Sequence, residues 1–360
     1  MSGFYFFLAV VSAIGTYSAI IQARRIYWMA PFYFLIAWLS GELALIHLLW
    51  QLGLTALMAL SGLLDSSLAQ VGLGLFALSW MGQVYLHVQA MNTQRVMRQA
   101  LKRGLGEDYR STLPQQRQRV LEDSVDAAHW MKPFAMVREG VRVHSHIAYA
   151  DAGKRNLLDI YQPQEPREGG FPVLLQVHGG GWMIGEKEQQ AKPLMFHLAQ
   201  RGWLCVAINY RLSPNAAFPA HIIDVKKSIA WIRNNIAEYG GDPDFIAITG
   251  GSAGGHLSSL AALTPNYAPF QPEFEDADTS IQAAVPFYGV YDFKDRFDIR
   301  GEMSMDKMLA DKVMQCSQQE NPELWDTGSP LSHVSAEAPP MFVIHGTHDS
   351  LVWVEEARTF

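Results

Sequence analysis

The distribution of charge along the 360-residue chain is the feature that most limits its fold. Residues 1–23, 43–64 and 66–94 contain no Asp, Glu, Lys or Arg, and nearly all charged residues follow Gln94. A helix of about 20 apolar residues crosses the ~30 Å hydrocarbon layer of a bilayer, and this first quarter has length for three such helices. The sequence therefore predicts a transmembrane helical region at residues 1–92, an amphipathic connector at 93–135 and a globular domain at 136–360.

Basic residues at the ends of the apolar segments predict the orientation. Arg24 and Arg25 follow the first segment, and four basic residues follow the last: Arg95, Arg98, Lys102 and Arg103. Because basic loops stay on the cytoplasmic side, an even number of crossings separates them, which gives three spans with the N-terminus outside. The globular domain of this integral membrane protein would then face the cytoplasm. A cleaved signal peptide is disfavoured because residues 1–3 carry no basic side chain.

Two ionisable residues, Glu42 and His47, lie within or at the edge of the second apolar segment. An ionisable group in a span is a functional candidate because its burial in lipid is costly. A position at the interface for Glu42 and a helix–helix hydrogen bond for His47 explain them equally simply, and we favour these structural roles.

The remaining composition excludes several classes of protein. A net charge of −7 without a basic stripe argues against nucleic acid as a partner. The two cysteines, Cys205 and Cys316, are too few for a disulfide framework. No CxxC, HExxH or His/Cys cluster has the spacing of metal ligands, so we expect neither a metal nor a cofactor.

The globular part alternates short apolar strands with helical segments. Such alternation predicts a mostly parallel sheet covered by helices on both faces. The predicted strands are residues 141–148, 157–161, 173–177, 203–208, 245–249, 283–287 and 341–344, and the predicted helices are residues 189–201, 222–239 and 253–263.

A GxSxG pattern stands between a predicted strand and a predicted helix. Gly250 and Gly254 flank Ser252, and the segment reads GGSAGG. A sharp turn from strand to helix needs glycine where a Cβ would clash, and it lifts the serine to the carboxyl end of the sheet with a helix N-terminus beneath it. The pattern therefore predicts Ser252 as a nucleophile and Gly250 and Gly254 as residues that support the turn.

A second glycine-rich segment, HGGGW, begins at His178 after the strand at 173–177. In such a fold this position supplies backbone N–H groups to a developing oxyanion, each worth about 3 kcal/mol in the transition state. We predict the amides of Gly179, Gly180 and Ala253 as these donors.

Six segments in order resemble the hormone-sensitive-lipase-like esterases of the α/β-hydrolase superfamily, from about residue 156 to the C-terminus. They are HGGGW at 178–182, NYRLSP at 209–214, FP at 218–219, GDP at 241–243, GGSAGG at 250–255 and HGTHD at 345–349. The resemblance implies an α/β-hydrolase fold, Ser252 as nucleophile and Asp349 as the acid of a catalytic triad. It also implies supporting roles for His178 and Gly181, and we expect Trp182 to line the substrate pocket.

The histidine of the triad is the departure from this pattern. In this fold the general base follows the acid, yet residues 351–360 contain no histidine. His348 adjoins the acid, His256 is one turn into the helix that carries Ser252, and His178 supports the glycine turn, so each is badly placed to join nucleophile and acid. We therefore expect the base in sequence that follows Phe360.

The leading function is hydrolysis of a lipophilic ester or acyl lipid through an acyl-enzyme. Three alternatives stay open at this point. An acyltransferase would pass the acyl group to an alcohol, and a prenyl-type methylesterase would remove a methyl ester from a prenylated substrate. A non-catalytic hydrolase-like domain would serve as a membrane-bound interaction module.

Overall fold

A computed structural model describes residues 1–21, 30–113, 136, 138–165, 168–301 and 305–360. The chain divides into two compact units, Met1–Pro133 and Phe134–Phe360, and each is described by itself. The predicted basic pair Arg24 and Arg25 lies outside the described residues, as does the connector from residue 114 to 135.

The first unit is helical, with α1 at Ser2–Ile20, α2 at Ala30–Glu42, α3 at Ala44–Leu60 and α4 at Ser67–Leu105. Helices α1 and α4 are long and apolar enough to cross a bilayer. The predicted second span is a bent pair, because α2 and α3 meet at 80°. Ser40 and Gly41 directly precede the bend, and Gly/Ser pairs are a common cause of sharp helix kinks.

Helix α4 has 39 residues and is therefore about 58 Å long, roughly twice the ~30 Å thickness of the hydrocarbon layer. Its apolar part continues without a break into the polar residues that follow position 93. The first part of the predicted connector is thus a continuation of the last apolar helix.

Small and polar side chains join α1 to α4. The Thr16 hydroxyl lies 2.8 Å from the Ser79 hydroxyl, and the Gln83 amide donates to Ser79 Oγ at 3.2 Å. A Cβ at Gly82 would lie 2.4 Å from the Thr16 side chain, so the two backbones approach closely. Such contacts are typical of helix pairs in membranes.

The second unit is built on a six-stranded sheet with the order β1-β2-β4-β3-β5-β6. Strands β1 and β2 are antiparallel to their neighbours, whereas β4, β3, β5 and β6 are parallel. The strands are β1 Val141–Ala148, β2 Leu157–Pro163, β3 Phe171–Val177, β4 Leu204–Ile208, β5 Gly241–Gly251 and β6 Ala283–Phe287. The helices are α5 Lys192–Ala199, α6 Ala220–Asn235, α7 Ala253–Leu263, α8 Met305–Met308, α9 Pro322–Thr327 and α10 Val354–Thr359.

The predicted α/β fold with a mostly parallel sheet is confirmed. Alternate residues of the central strands pack on opposite faces: Leu175 and Ile248 join the core beneath α6 and α7, whereas Leu174 and Ala247 join the core beneath α5. The segment predicted as a strand at 341–344 pairs in parallel with β6, because the Phe342 amide donates to the Ala284 carbonyl at 2.9 Å and the Ile344 amide to the Pro286 carbonyl at 3.0 Å. Cys205 and Cys316 are free thiols.

Lys226 of α6 is buried, and its ammonium group donates to the Thr264 carbonyl and to Thr279 Oγ1. Burial lowers the pKa of Lys226 to about 7, from 10.5 in an exposed lysine. The folded protein therefore binds fewer protons than the unfolded chain between these two pH values, and its stability rises with pH in that window.

We expect Lys226→Met to remove this pH dependence. The difference in free energy of unfolding between the unsubstituted protein and the variant should increase in favour of the unsubstituted protein by about 1.4 kcal/mol for each pH unit above pH 7. Urea unfolding of both proteins at pH 6, 7.5 and 9 measures the difference. Parallel stability curves across this range would contradict the prediction.

Candidate active site

Ser252 occupies the turn between β5 and α7 with a strained backbone. Its φ is 56° and its ψ is −120°, a conformation that L residues rarely adopt. Two hydrogen bonds hold the turn: the Ser252 amide donates to the Phe287 carbonyl at 3.0 Å, and the Ser252 carbonyl accepts from the His256 amide at 2.9 Å. The side chain is partly exposed, above the N-terminus of α7.

The glycines around Ser252 allow β3 to approach the turn. A Cβ at Gly254 would lie 2.1 Å from the Val177 carbonyl oxygen, and a Cβ at Gly250 would lie 2.5 Å from the same atom. Both contacts are to backbone, which cannot rotate away. The structure thus gives a steric reason for the two glycines that the sequence predicts as supports of the turn.

Gly254→Ala tests this packing. In an ordinary helix the change to alanine stabilises by about 1 kcal/mol, but here we expect destabilisation by about 3 kcal/mol because the methyl group meets backbone. Gly346→Ala is the matched control, since a Cβ at Gly346 meets nothing within 4 Å. Thermal unfolding of the two variants measures the contrast, and equal melting temperatures would refute the packing argument.

The loop that begins at His178 lies directly against this turn, because a Cβ at Gly179 would lie 2.5 Å from the Gly251 carbonyl oxygen. The sequence predicts the Gly179 amide as an oxyanion donor. That N–H donates to Gln190 Oε1 at 2.7 Å, so it has an acceptor already. In the described part of the chain, the amides of Gly180, Gly181 and Ala253 have no hydrogen-bond acceptor. The sequence offered no signal for Gln190.

His178 is a buried support of this loop. Its Nδ1 lies 2.8 Å from the Gly179 carbonyl, and its ring stacks on Tyr210 at 4.3 Å. Burial lowers the pKa of His178 to about 4, so the ring is neutral at physiological pH.

Trp182 and His256 form a buried pair under the turn. The Trp182 indole donates to His256 Nδ1 at 3.1 Å, and His256 Nε2 then donates to the Gly328 carbonyl at 2.7 Å. Trp182, which the sequence predicts to line the substrate pocket, is 2% exposed, and its ring packs on Phe293 in the core. Both nitrogens of His256 are engaged, and burial lowers its pKa to about 4. No histidine of the described residues hydrogen-bonds the Ser252 hydroxyl.

Asp349 lies in the loop after the 341–344 segment. Its Oδ1 accepts the amides of Leu351 at 2.9 Å and Val352 at 3.0 Å, and its Oδ2 lies 3.5 Å from His345 Nε2. The neighbouring His348 is exposed. The carboxylate is thus fixed by backbone donors.

The sheet brings the loops of Ser252 and Asp349 to one edge. Gly251 pairs with Phe287, and Phe287 pairs with Ile344, so three parallel segments end in one row. Ser252 directly follows this row on β5, and Asp349 follows it five residues beyond Ile344. Carboxyl ends of parallel strands are where open α/β sheets place their sites.

One cluster of described residues has the spacing of metal ligands, His146, Asp159 and Glu188, whose ligand atoms lie within 4.8 Å of one another. The Lys187 ammonium lies among them, 3.0 Å from Asp159 Oδ1 and 3.3 Å from His146 Nδ1. It supplies the positive charge that a cation would bring, so the cluster gives no case for a metal.

Similar proteins are esterases. The probable carboxylic ester hydrolase LipM of Mycobacterium tuberculosis is 48% identical over 295 residues, which cover 79% of this chain and 68% of LipM. The esterase LipQ of the same organism is 51% identical over 217 residues, which cover 60% of this chain and 51% of LipQ. The chain therefore spans about two thirds of one relative and half of the other.

A solved structure, Thermogutta terrifontis esterase 2 phosphonylated by sarin, is similar with a TM-score of 0.51 and 26% identity, covering 63% of this chain and 79% of that chain. These comparisons confirm the enzyme class and the resemblance to α/β-hydrolase esterases predicted from the sequence. The BD-FAE family matches residues 158–360, more than half of the chain, and the protein belongs to this family of α/β-hydrolases.

Proposed function

We propose that the protein is a membrane-anchored serine hydrolase that cleaves carboxylic esters through an acyl-enzyme on Ser252. The observation that carries the proposal is the strained turn at Ser252, with a helix N-terminus beneath it and the loop from His178 packed against it. The similar esterase phosphonylated by sarin supports the proposal, because the phosphorus of sarin reacts with an activated nucleophile as the carbonyl carbon of an ester does. A binding domain has no chemical need for such a turn.

The oxyanion donors of this proposal are the amides of Gly180, Gly181 and Ala253. Positive φ at Gly180 and Gly181 turns this loop sharply, and their N–H groups have no acceptor among the described residues. Removal of one such donor costs ~100- to 1000-fold in kcat in serine hydrolases. Gln190 fixes the loop by binding the neighbouring Gly179 amide.

In the reaction, Ser252 Oγ attacks the ester carbonyl while an imidazole base accepts its proton, and the C–O bond to the alcohol then breaks. The imidazolium returns the proton to the leaving alkoxide. Water attacks the acyl-enzyme in the second half, releasing the acid and free Ser252. Asp349 would orient the imidazole, and its own hydrogen bonds to Leu351 and Val352 hold it in place.

Membrane anchoring rests on the two long apolar helices α1 and α4. Basic residues at the end of α4 support a cytoplasmic position of the catalytic domain: Arg95, Arg98, Lys102 and Arg103. An enzyme tethered in this way meets substrates that partition into the bilayer, which favours a lipophilic ester or acyl lipid.

Trapping of the acyl-enzyme tests the proposal. Full-length protein in membranes is mixed with p-nitrophenyl butanoate, quenched in acid and digested, and we expect a butanoyl group on the peptide that contains Ser252. Turnover without this adduct would refute the serine mechanism.

Added 1-butanol separates hydrolysis from acyl transfer in the same assay. A hydrolase releases mostly butanoic acid at millimolar butanol, whereas an acyltransferase releases mostly butyl butanoate. Predominant ester formation would replace hydrolysis with the transferase alternative and leave Ser252 as the nucleophile.

A further inference from the structure

Tyr288, the residue after β6, has an unusual backbone. Its φ is 37°, in the left-handed region that favours glycine. Its amide donates to the Ile344 carbonyl at 2.7 Å, so the strained conformation is held by the sheet edge. Strained non-glycine residues of this kind cluster at functional sites, where the surrounding structure fixes a side chain in one position.

The Tyr288 ring lies against the turn that carries Ser252. Its Oη, Cε2 and Cζ atoms are 2.7, 2.9 and 2.9 Å from the point that a Cβ at Gly251 would occupy. Gly251 immediately precedes Ser252, and the Ser252 amide bonds the carbonyl of the residue before Tyr288. The residue is nevertheless 42% exposed, so part of it faces solvent beside Ser252.

The strand order shows on which side of the nucleophile this ring stands. Strand β5 lies between β3, which leads to the loop at His178, and β6, which leads to Tyr288. The 341–344 segment that leads to Asp349 bridges to β6. The oxyanion is therefore bound from the β3 side, and an imidazole held by Asp349 comes from the β6 side. Because that imidazole protonates the leaving oxygen, the alcohol half also lies on the β6 side.

We propose that the Tyr288 ring is a wall of the alcohol pocket and limits the size of the alcohol half that the enzyme accepts. This role rests on the serine esterase function proposed above. The acyl half lies away from Tyr288, so its selectivity is independent of this residue. The phenol ring, rather than its hydroxyl, makes the wall.

Two ester series test the role in the full-length protein. One series varies the alcohol, as methyl, butyl and cyclohexyl butanoate, and the other varies the acyl chain, as p-nitrophenyl acetate, butanoate and octanoate. Tyr288→Gly removes the ring and tolerates the positive φ, so the fold is retained. Tyr288→Phe is the matched control, since it keeps the ring.

We expect Tyr288→Gly to raise the ratio of kcat/KM for cyclohexyl over methyl butanoate by about 10-fold, while the octanoate-to-acetate ratio changes by less than about twofold. Tyr288→Phe should keep both ratios of the unsubstituted protein. An unchanged alcohol ratio in Tyr288→Gly, or an equal change in the acyl ratio, would overturn the assignment.

Fluorophosphonate labelling of the same proteins separates this failure from that of the proposed function. Labelling of all three proteins with an unchanged alcohol ratio overturns only the role of Tyr288. Absence of labelling and of hydrolysis in the unsubstituted protein overturns the serine mechanism, and the role of Tyr288 with it.

Discussion

Ser252→Ala should lower kcat for p-nitrophenyl butanoate by about 10⁴-fold or more, because the attacking oxygen is lost while oxyanion donors and binding groups stay. The substitution leaves in place the two backbone hydrogen bonds of the turn, in which the Ser252 amide donates to the Phe287 carbonyl and the His256 amide donates to the Ser252 carbonyl. The measurement is initial-rate kinetics on membranes with matched amounts of protein.

Ser259→Ala on the same helix is the control for Ser252→Ala. It also removes one hydroxyl, which donates to the Gly255 carbonyl of its own helix at 2.9 Å. We expect its kcat to stay within about threefold of the value for the unsubstituted protein, because a buried hydroxyl that bonds a carbonyl of its own helix contributes little to catalysis. Substantial activity in Ser252→Ala would show that another group is the nucleophile.

Asp349→Asn should lower kcat by about 10⁴-fold, because a neutral amide no longer holds the imidazole in the required tautomer or stabilises the imidazolium. Asparagine keeps an oxygen that can accept the Leu351 and Val352 amides, so the loop is expected to stay folded. The loss should fall on kcat, with KM little changed.

Asp244→Asn serves as the control for the acid. Its side chain is 93% exposed, and it faces Arg233 at 3.6 Å, a surface pair of small energetic value. We expect its kinetics to match the unsubstituted protein. If Asp349→Asn had the same kinetics as this control, Asp349 would have no part in the mechanism.

The fold of the catalytic unit could be predicted largely from local pattern. Strand β6 and helix α7 have the predicted bounds, Ala283–Phe287 and Ala253–Leu263, because buried parallel strands are short apolar runs and glycines mark the turn between them. The segment at 341–344 has the same apolar pattern, and its Phe342 and Ile344 amides pair it in parallel with β6.

Two site residues show where the sequence was insufficient. The sequence pattern predicts the Gly179 amide as an oxyanion donor, whereas in the structure this amide donates at 2.7 Å to the side chain of Gln190, 11 positions later in the chain. Trp182 adjoins the glycine-rich loop in sequence, yet its ring turns inward onto His256 and Phe293. In both cases a tertiary contact decided which way a group points, and neighbours in sequence carry no such information.

The most direct test of the central claim is the identification of the residue that a fluorophosphonate probe modifies. Membranes with the full-length protein are labelled, digested and analysed by tandem mass spectrometry, with Ser252→Ala beside it. The proposed function predicts a phosphonyl adduct on Ser252 and no adduct on the variant. An adduct on any other residue, or equal labelling of both proteins, would contradict Ser252 as the nucleophile.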